Sequence, residues 1–367
     1  MNGGEPLPDL PSPSRRNALL LASGLLMARA AAAAPIPPSP KPPAVIPPPV
    51  IPPTVIPPAA TGLPEGAAIL VAGPPQGRLD RWADLLIPAL GRAMPSAFAG
   101  PSAQPVIRSI VGGVDGVTGA NQFEARVMPD GGTALLLPGA AAMAWLVGDP
   151  RAQFDAARWV PAWAGLASAV LVSRVPLSPG GSLRVGGAHP AGPTLPALLA
   201  LDMLGIAVTP SDDKAADAVF LSGQGARVAA TAQQGMAPVL TLGTIDPAGN
   251  WQRDPAFPAV PTAVEAASRR APPTAMLAAL RAASAAAMLD AALVLPQLSP
   301  ANWVALWRRA CAEASATPDL LDEAAALGVR TASAPATATL MTSIAADVPT
   351  LLALRSWLDT RWGRQAG

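Results

Sequence analysis

Residues 35–58 read PIPPSPKPPAVIPPPVIPPTVIPP, with VIPP recurring after Ala44, Pro49 and Thr54. Proline fixes φ and carries no amide donor, so this stretch enters neither a helix interior nor a sheet. It reads as a semi-rigid polyproline II spacer rising about 3.1 Å per residue. A Pro-rich ligand for a partner domain is the alternative reading. Either way the chain divides there: residues 35–62 form a linker, and the folded part starts near Leu63.

Upstream, Arg15 and Arg16 stand directly before a mostly apolar run, Leu19 to Met27, and Ala30 to Ala34 offers small residues to a signal peptidase. Basic, apolar and small in that order is the pattern of an export signal, and the paired arginines make residues 1–34 twin-arginine-like. The apolar run is short for a span of about 20 residues. Cleavage is therefore expected, with an N-terminal membrane anchor as the alternative. With no cysteine in this segment, a lipoprotein anchor is not expected.

Charge and rare residues narrow the chemistry. The 25 Lys and Arg nearly cancel the 24 Asp and Glu, so no basic field supports nucleic-acid binding. His189 is the only histidine and Cys311 the only cysteine. A histidine triad, a multi-histidine metal site and an internal disulfide are therefore poor fits. His189 reads as a loop residue and Cys311 as a small buried residue of a helix that also carries Trp307. The chain has no GxxxxGK[ST] and no GxSxG. No enzyme activity, cofactor or metal is expected.

Beyond the linker the pattern is strand, Pro/Gly loop, helix. Ala67 to Ala72 is a short apolar run that suits a buried strand. Gly73-Pro74-Pro75-Gln76-Gly77-Arg78-Leu79-Asp80 follows, and then Trp82, Leu85, Leu86 and Leu90 at helical spacing. A second unit runs from Pro105-Val106-Ile107 through the glycine-rich segment 112–119 into a helix over 120–127. Ala134 to Leu137 predicts another strand, followed by Pro138-Gly139-Ala140-Ala141. Such loops aim backbone N–H groups at a helix mouth, where an anion can sit.

These segments, in this order, resemble the receptor family of tripartite tricarboxylate transporters, the Bug-type periplasmic binding proteins. Pro74 to Asp80 resembles the family's PPGGxxD loop, residues 112–119 its second glycine loop, and Met128 to Leu136 its APDGYTLLL segment. Phe154 to Pro161, Asp217 to Phe220, Phe257 to Thr262 and Leu295 to Pro300 continue the likeness across about 300 residues.

The resemblance implies a two-lobed α/β fold of the type II periplasmic binding protein class, with a ligand cleft between lobes. Lobe 1 would take residues 63–168 and 286–367, and lobe 2 residues 169–285. It further implies a receptor that captures a small organic carboxylate and hands it to membrane transporter subunits. A divergent binding or sensing module of the same fold is the alternative. Carried over by position, the ligand contacts are Pro75, Gln76, Gly77, Arg78 and Asp80 in the first loop and Gly139, Ala140 and Ala141 in the third. Ala191, Gly192 and Thr194 face them from across the cleft.

The chain departs from the family in several places. Gln76 stands where the family has glycine, and Arg78 where it has a small residue. Arg78 would then either clamp a carboxylate or fill the cleft. Asp80 is expected to cap its helix and stiffen the loop. Asp115 puts a carboxylate in the second glycine loop, and Val208 to Asp213 reads as a plain turn.

Overall fold

A computed structural model of the chain describes residues 67–92, 106–231 and 235–363. The export signal and the Pro-rich linker expected over 1–62 lie outside the described residues.

The first half of the chain alternates strand and helix. β1 (Ala68–Ala72), α1 (Arg78–Arg92), β2 (Ile107–Val111), α2 (Val117–Arg126), β3 (Thr133–Leu137) and α3 (Gly139–Val147) lead to the long β4 (Val160–Ala167). One residue, Ser168, separates β4 from β5 (Ala169–Ser173). Then come β6 (Ser182–Gly186), α4 (Leu195–Met203), β7 (Ala207–Ser211), β8 (Ala218–Ser222), α5 (Gln224–Thr231) and β9 (Ala237–Thr241). A small hairpin, β10 (Thr244–Ile245) and β11 (Trp251–Gln252), precedes α6 (Ala263–Ser268) and α7 (Thr274–Met288). The chain finishes with β12 (Leu289–Leu295), α8 (Ala301–Ser315), α9 (Pro318–Leu327), β13 (Val329–Thr331), α10 (Ala334–Ile344) and α11 (Val348–Trp362).

Two main sheets result. One has the order β13-β4-β12-β3-β1-β2, the other β7-β6-β8-β5-β9. β1 pairs parallel with β2 and β3, whereas β12 returns antiparallel between β3 and β4. In the other sheet β6 runs parallel to β7 and β8, and β5 antiparallel to β8 and β9. The strand residues explain this placement. AILVA, TALLL and LDAALVL are nearly unbroken apolar runs, as strands covered on both faces must be, and they occupy the middle of the first sheet. IRSIV carries arginine and serine and lies at its edge, largely exposed.

Each face of the first sheet has its own core. On one, Trp82, Leu86 and Leu90 of α1 meet Ile69, Val71, Leu136 and Trp307. Three core tryptophans each place the indole N–H on an acceptor: Trp82 on Asp290 at 2.7 Å, Trp163 on Ser315 at 2.8 Å and Trp307 on the Gly131 carbonyl at 3.0 Å. Burying that much ring without stranding a donor is what makes tryptophan usable here. Cys311 sits in the same core, and burial pushes its thiol well above the usual range. The other face is shared with the second sheet. There α7, rich in alanine and buried along its C-terminal half apart from Arg281 and Ala287, packs against α3, α4, α6, α10 and α11.

Two readings are corrected. Residues 208–213 do not form a plain turn: Ala207 to Ser211 is an edge strand parallel to β6, in a register that includes Val185 with Pro210. Proline is tolerated there because an edge strand has one unpaired side. The strand of the second unit, expected over Pro105 to Ile107, runs over Ile107–Val111, and Pro105 lies outside the described residues. Its polar residues, acceptable at an edge, hid it from an apolar pattern.

Candidate functional site

The first predicted loop is a tight structure held by one carboxylate. Gln76 adopts φ 60°, a left-handed conformation more usual for glycine. Its N–H donates to Oδ2 of Asp80 at 2.8 Å, and the Gly77 N–H donates to the Pro74 carbonyl at 3.1 Å. Arg108 of β2 stands 2.9 Å from the other Asp80 oxygen. Asp80 is buried and turned into the loop, fixing the direction in which α1 starts.

Arg78 opens α1. Its guanidinium lies 2.5 Å from Oδ1 of Asp290, whose Oδ2 accepts the Trp82 indole N–H. The Arg78 side chain is half exposed; that of Asp290, on β12, is only 6% exposed. Burial raises the Asp290 carboxyl above its usual range, against the opposing pull of Arg78 and Trp82.

The third loop ends at α3. Gly139 is buried, and a methyl group there would overlap the carbonyl oxygens of Ala286 and Leu289 at the α7–β12 junction. Ala140 is exposed and Ala141 fully buried in the core.

From the second sheet, the loop before α4 folds on itself. The Thr194 hydroxyl accepts the His189 N–H at 3.0 Å and donates to the His189 carbonyl at 2.9 Å. The His189 ring Nδ1 accepts the Ala191 N–H at 3.3 Å. Thr194 is thus a lock within the loop, while Ala191 is left exposed.

These pieces meet around a cavity of about 170 Å³. Arg78, Gly139, Ala140, Ala191 and Gly192 share its wall with Asp290; Pro138, Met143 and Leu289 supply much of the apolar surface. Pro75, Gln76, Gly77, Asp80, Ala141 and Thr194 are not in the lining; they shape the loops behind it. The glycine-rich segment 112–119 also stays out. Its Asp115 accepts the Val117 N–H at 3.1 Å and pairs with Arg151 at 2.9 Å. A larger groove of about 490 Å³ between β8 and α5 contains none of the predicted residues and no carboxylate. Among the described residues no group of three or more His, Cys, Asp or Glu is gathered closely enough to hold a metal ion.

Sequence reasoning missed Asp290, although a signal was there. It is the one charged residue in the run AAAMLDAALVL, and a lone carboxylate inside a buried strand is the informative exception to apolar patterning.

Two sheets, linked through Ser168 and again through the α6–α7 segment that returns to β12, with a cavity lined from both, make a two-lobed α/β fold of the periplasmic binding protein type. Among solved structures the chain is similar to a TctC solute-binding protein from Polaromonas, with TM-score 0.57, 17% identity, and 78% of this chain and 98% of that chain covered. MatC from Rhodopseudomonas palustris with bound malate gives TM-score 0.46 at 16% identity over 79% and 98% of the two chains. The periplasmic binding protein BugD gives 0.45 at 14% over 81% and 97%. No protein-family model and no curated protein sequence matches the chain.

Proposed function

We propose that the protein is an exported periplasmic solute receptor that captures a small organic carboxylate and presents it to the membrane subunits of a tripartite tricarboxylate-type transporter. In this reading residues 63–168 and 286–367 form lobe 1 and residues 169–285 lobe 2. The observation that carries it is the cavity where loops before α1, α3 and α4 converge from both sheets, with a guanidinium at its wall. The fold shared with the TctC solute-binding protein supports a binding role. The Arg78 guanidinium and the backbone of Gly139 and Ala140 at the start of α3 are the groups suited to a carboxylate. Closure of two lobes about a short crossing is an established repertoire of such folds.

The test is a thermal-shift series with a broad panel of small organic acids on the full chain. A ligand at about 100 times its Kd stabilises the folded state by about 2.7 kcal/mol, which raises Tm by several degrees. Stabilisation by none of the panel would sink the proposal.

A further inference from the structure

Resting on the carboxylate-receptor reading, the cavity itself narrows the ligand class. Its lining carries two charged side chains, Arg78 and Asp290, in direct contact and of opposite sign. The wall is therefore already neutral. A plain carboxylate would bring a second negative charge beside the buried Asp290, with Arg78 the one cation of the lining to serve both. An uncompensated charge beside a buried group is unfavourable, whereas a paired one is tolerated.

Neither partner is saturated by the other. A guanidinium has five N–H donors in a fixed fork, and an ionised carboxylate has about four acceptor sites. Asp290 uses one oxygen for Arg78 and the other for Trp82, leaving lone pairs on each. Arg78, half exposed, keeps donors free for a second acceptor. Burial raises the Asp290 carboxyl against the pull of Arg78 and Trp82, and positive charge at its remaining lone pairs would favour the ionised form. A ligand cation would supply it.

We infer that the cavity takes a small zwitterion, with its carboxylate on Arg78 and its ammonium on Asp290. Asp290 is thus the residue that determines specificity, selecting aminated acids over their plain counterparts. The rest of the lining sets the ligand's body. Pro138, Ala140, Met143 and Leu289 are apolar, and about 170 Å³ is well below the ~300 Å³ at which pockets for drug-sized molecules begin. A short apolar frame bearing both charges fits that description.

The experiment is isothermal titration calorimetry of the full chain with matched pairs that differ by the amino group: alanine with propionate, valine with isovalerate, leucine with 4-methylvalerate. The aminated member of at least one pair is expected to bind ten times more tightly than its partner, and Asp290→Asn to abolish that preference. Equal or tighter binding of the plain acids by the unaltered protein overturns the inference while leaving the carboxylate-receptor reading standing. Preference for the amino acids that survives unchanged in a folded Asp290→Asn protein overturns the role of Asp290. If nothing in the amino-acid series binds but plain acids in the wider panel do, the inference alone fails; if no acid of either kind binds, the receptor reading fails with it. Because the matched pairs are compared on the unaltered protein, the test survives a variant that does not fold.

Discussion

Single residues show how far a position can keep its geometry while changing its chemistry. Gln76 holds φ 60° without being glycine, and Asp80 compensates by taking its N–H. Gly139 is the opposite case. The sequence pattern assigns it to a ligand loop, yet its hydrogen is required by packing, because the start of α3 lies against the carbonyls of Ala286 and Leu289. Overpacking a well-filled interior costs about 1–3 kcal/mol, more when backbone must move. Gly139→Ala is therefore expected to lose about 3 kcal/mol in urea denaturation, with a matching fall in the midpoint. A change smaller than 0.5 kcal/mol, roughly the level of a tolerated surface substitution, would show that the junction is loosely packed.

At the scale of elements, legibility followed burial. β1, β3 and the buried stripe of α1 were readable because strands or helix faces covered by neighbours need apolar runs, and Ile69, Leu136, Trp82 and Leu86 supply them. β2 and β7 were misread because edge strands escape that requirement and admit Arg108, Ser109 or Pro210. The site divides the same way. Loop positions such as Ala191 and Gly192 were legible from serial order, but Asp290 lay 212 positions from its Arg78 partner (290 − 78) and only the sheet brings them together. α6 starts directly after the Phe257 to Thr262 segment, with Thr262 as its cap. There the Thr262 hydroxyl accepts the Glu265 N–H at 3.0 Å while the Glu265 carboxylate accepts the Thr262 N–H at 2.8 Å. This capping box satisfies two helix-terminal donors at once. Thr262→Ala should cost about 1 kcal/mol in chemical denaturation, and a neutral result would mean that the turn holds α6 without it.

Over the whole molecule, ionisable groups pull stability in two directions with pH. The Asp217 carboxyl is held at about 2 by its side-chain hydrogen bond to Arg184, and those of Asp149 and Asp347 are lowered by hydrogen bonds from Arg151 and Thr350. A carboxyl lowered by folding stabilises the native state above its unfolded value, about 3.9 for aspartate, and loses that contribution as pH falls through the folded value. Asp290 works in reverse. Burial raises its pKa, so the folded chain keeps that proton at a pH where the unfolded chain has released it. Its contribution is most favourable in acid and is lost as pH rises from the unfolded value through the folded one. The protein as a whole should therefore destabilise on acidification from pH 7 toward pH 3, with Asp290 partly offsetting the loss. Asp290→Asn removes the offset, so the difference in unfolding free energy between the two pH values should be larger in the variant than in the unaltered chain. Urea denaturation of both proteins at each pH measures that difference. A smaller difference in the variant would mean that the Arg78 charge outweighs burial at Asp290, so that the carboxylate needs no further cation and the argument for a zwitterionic ligand loses its electrostatic support.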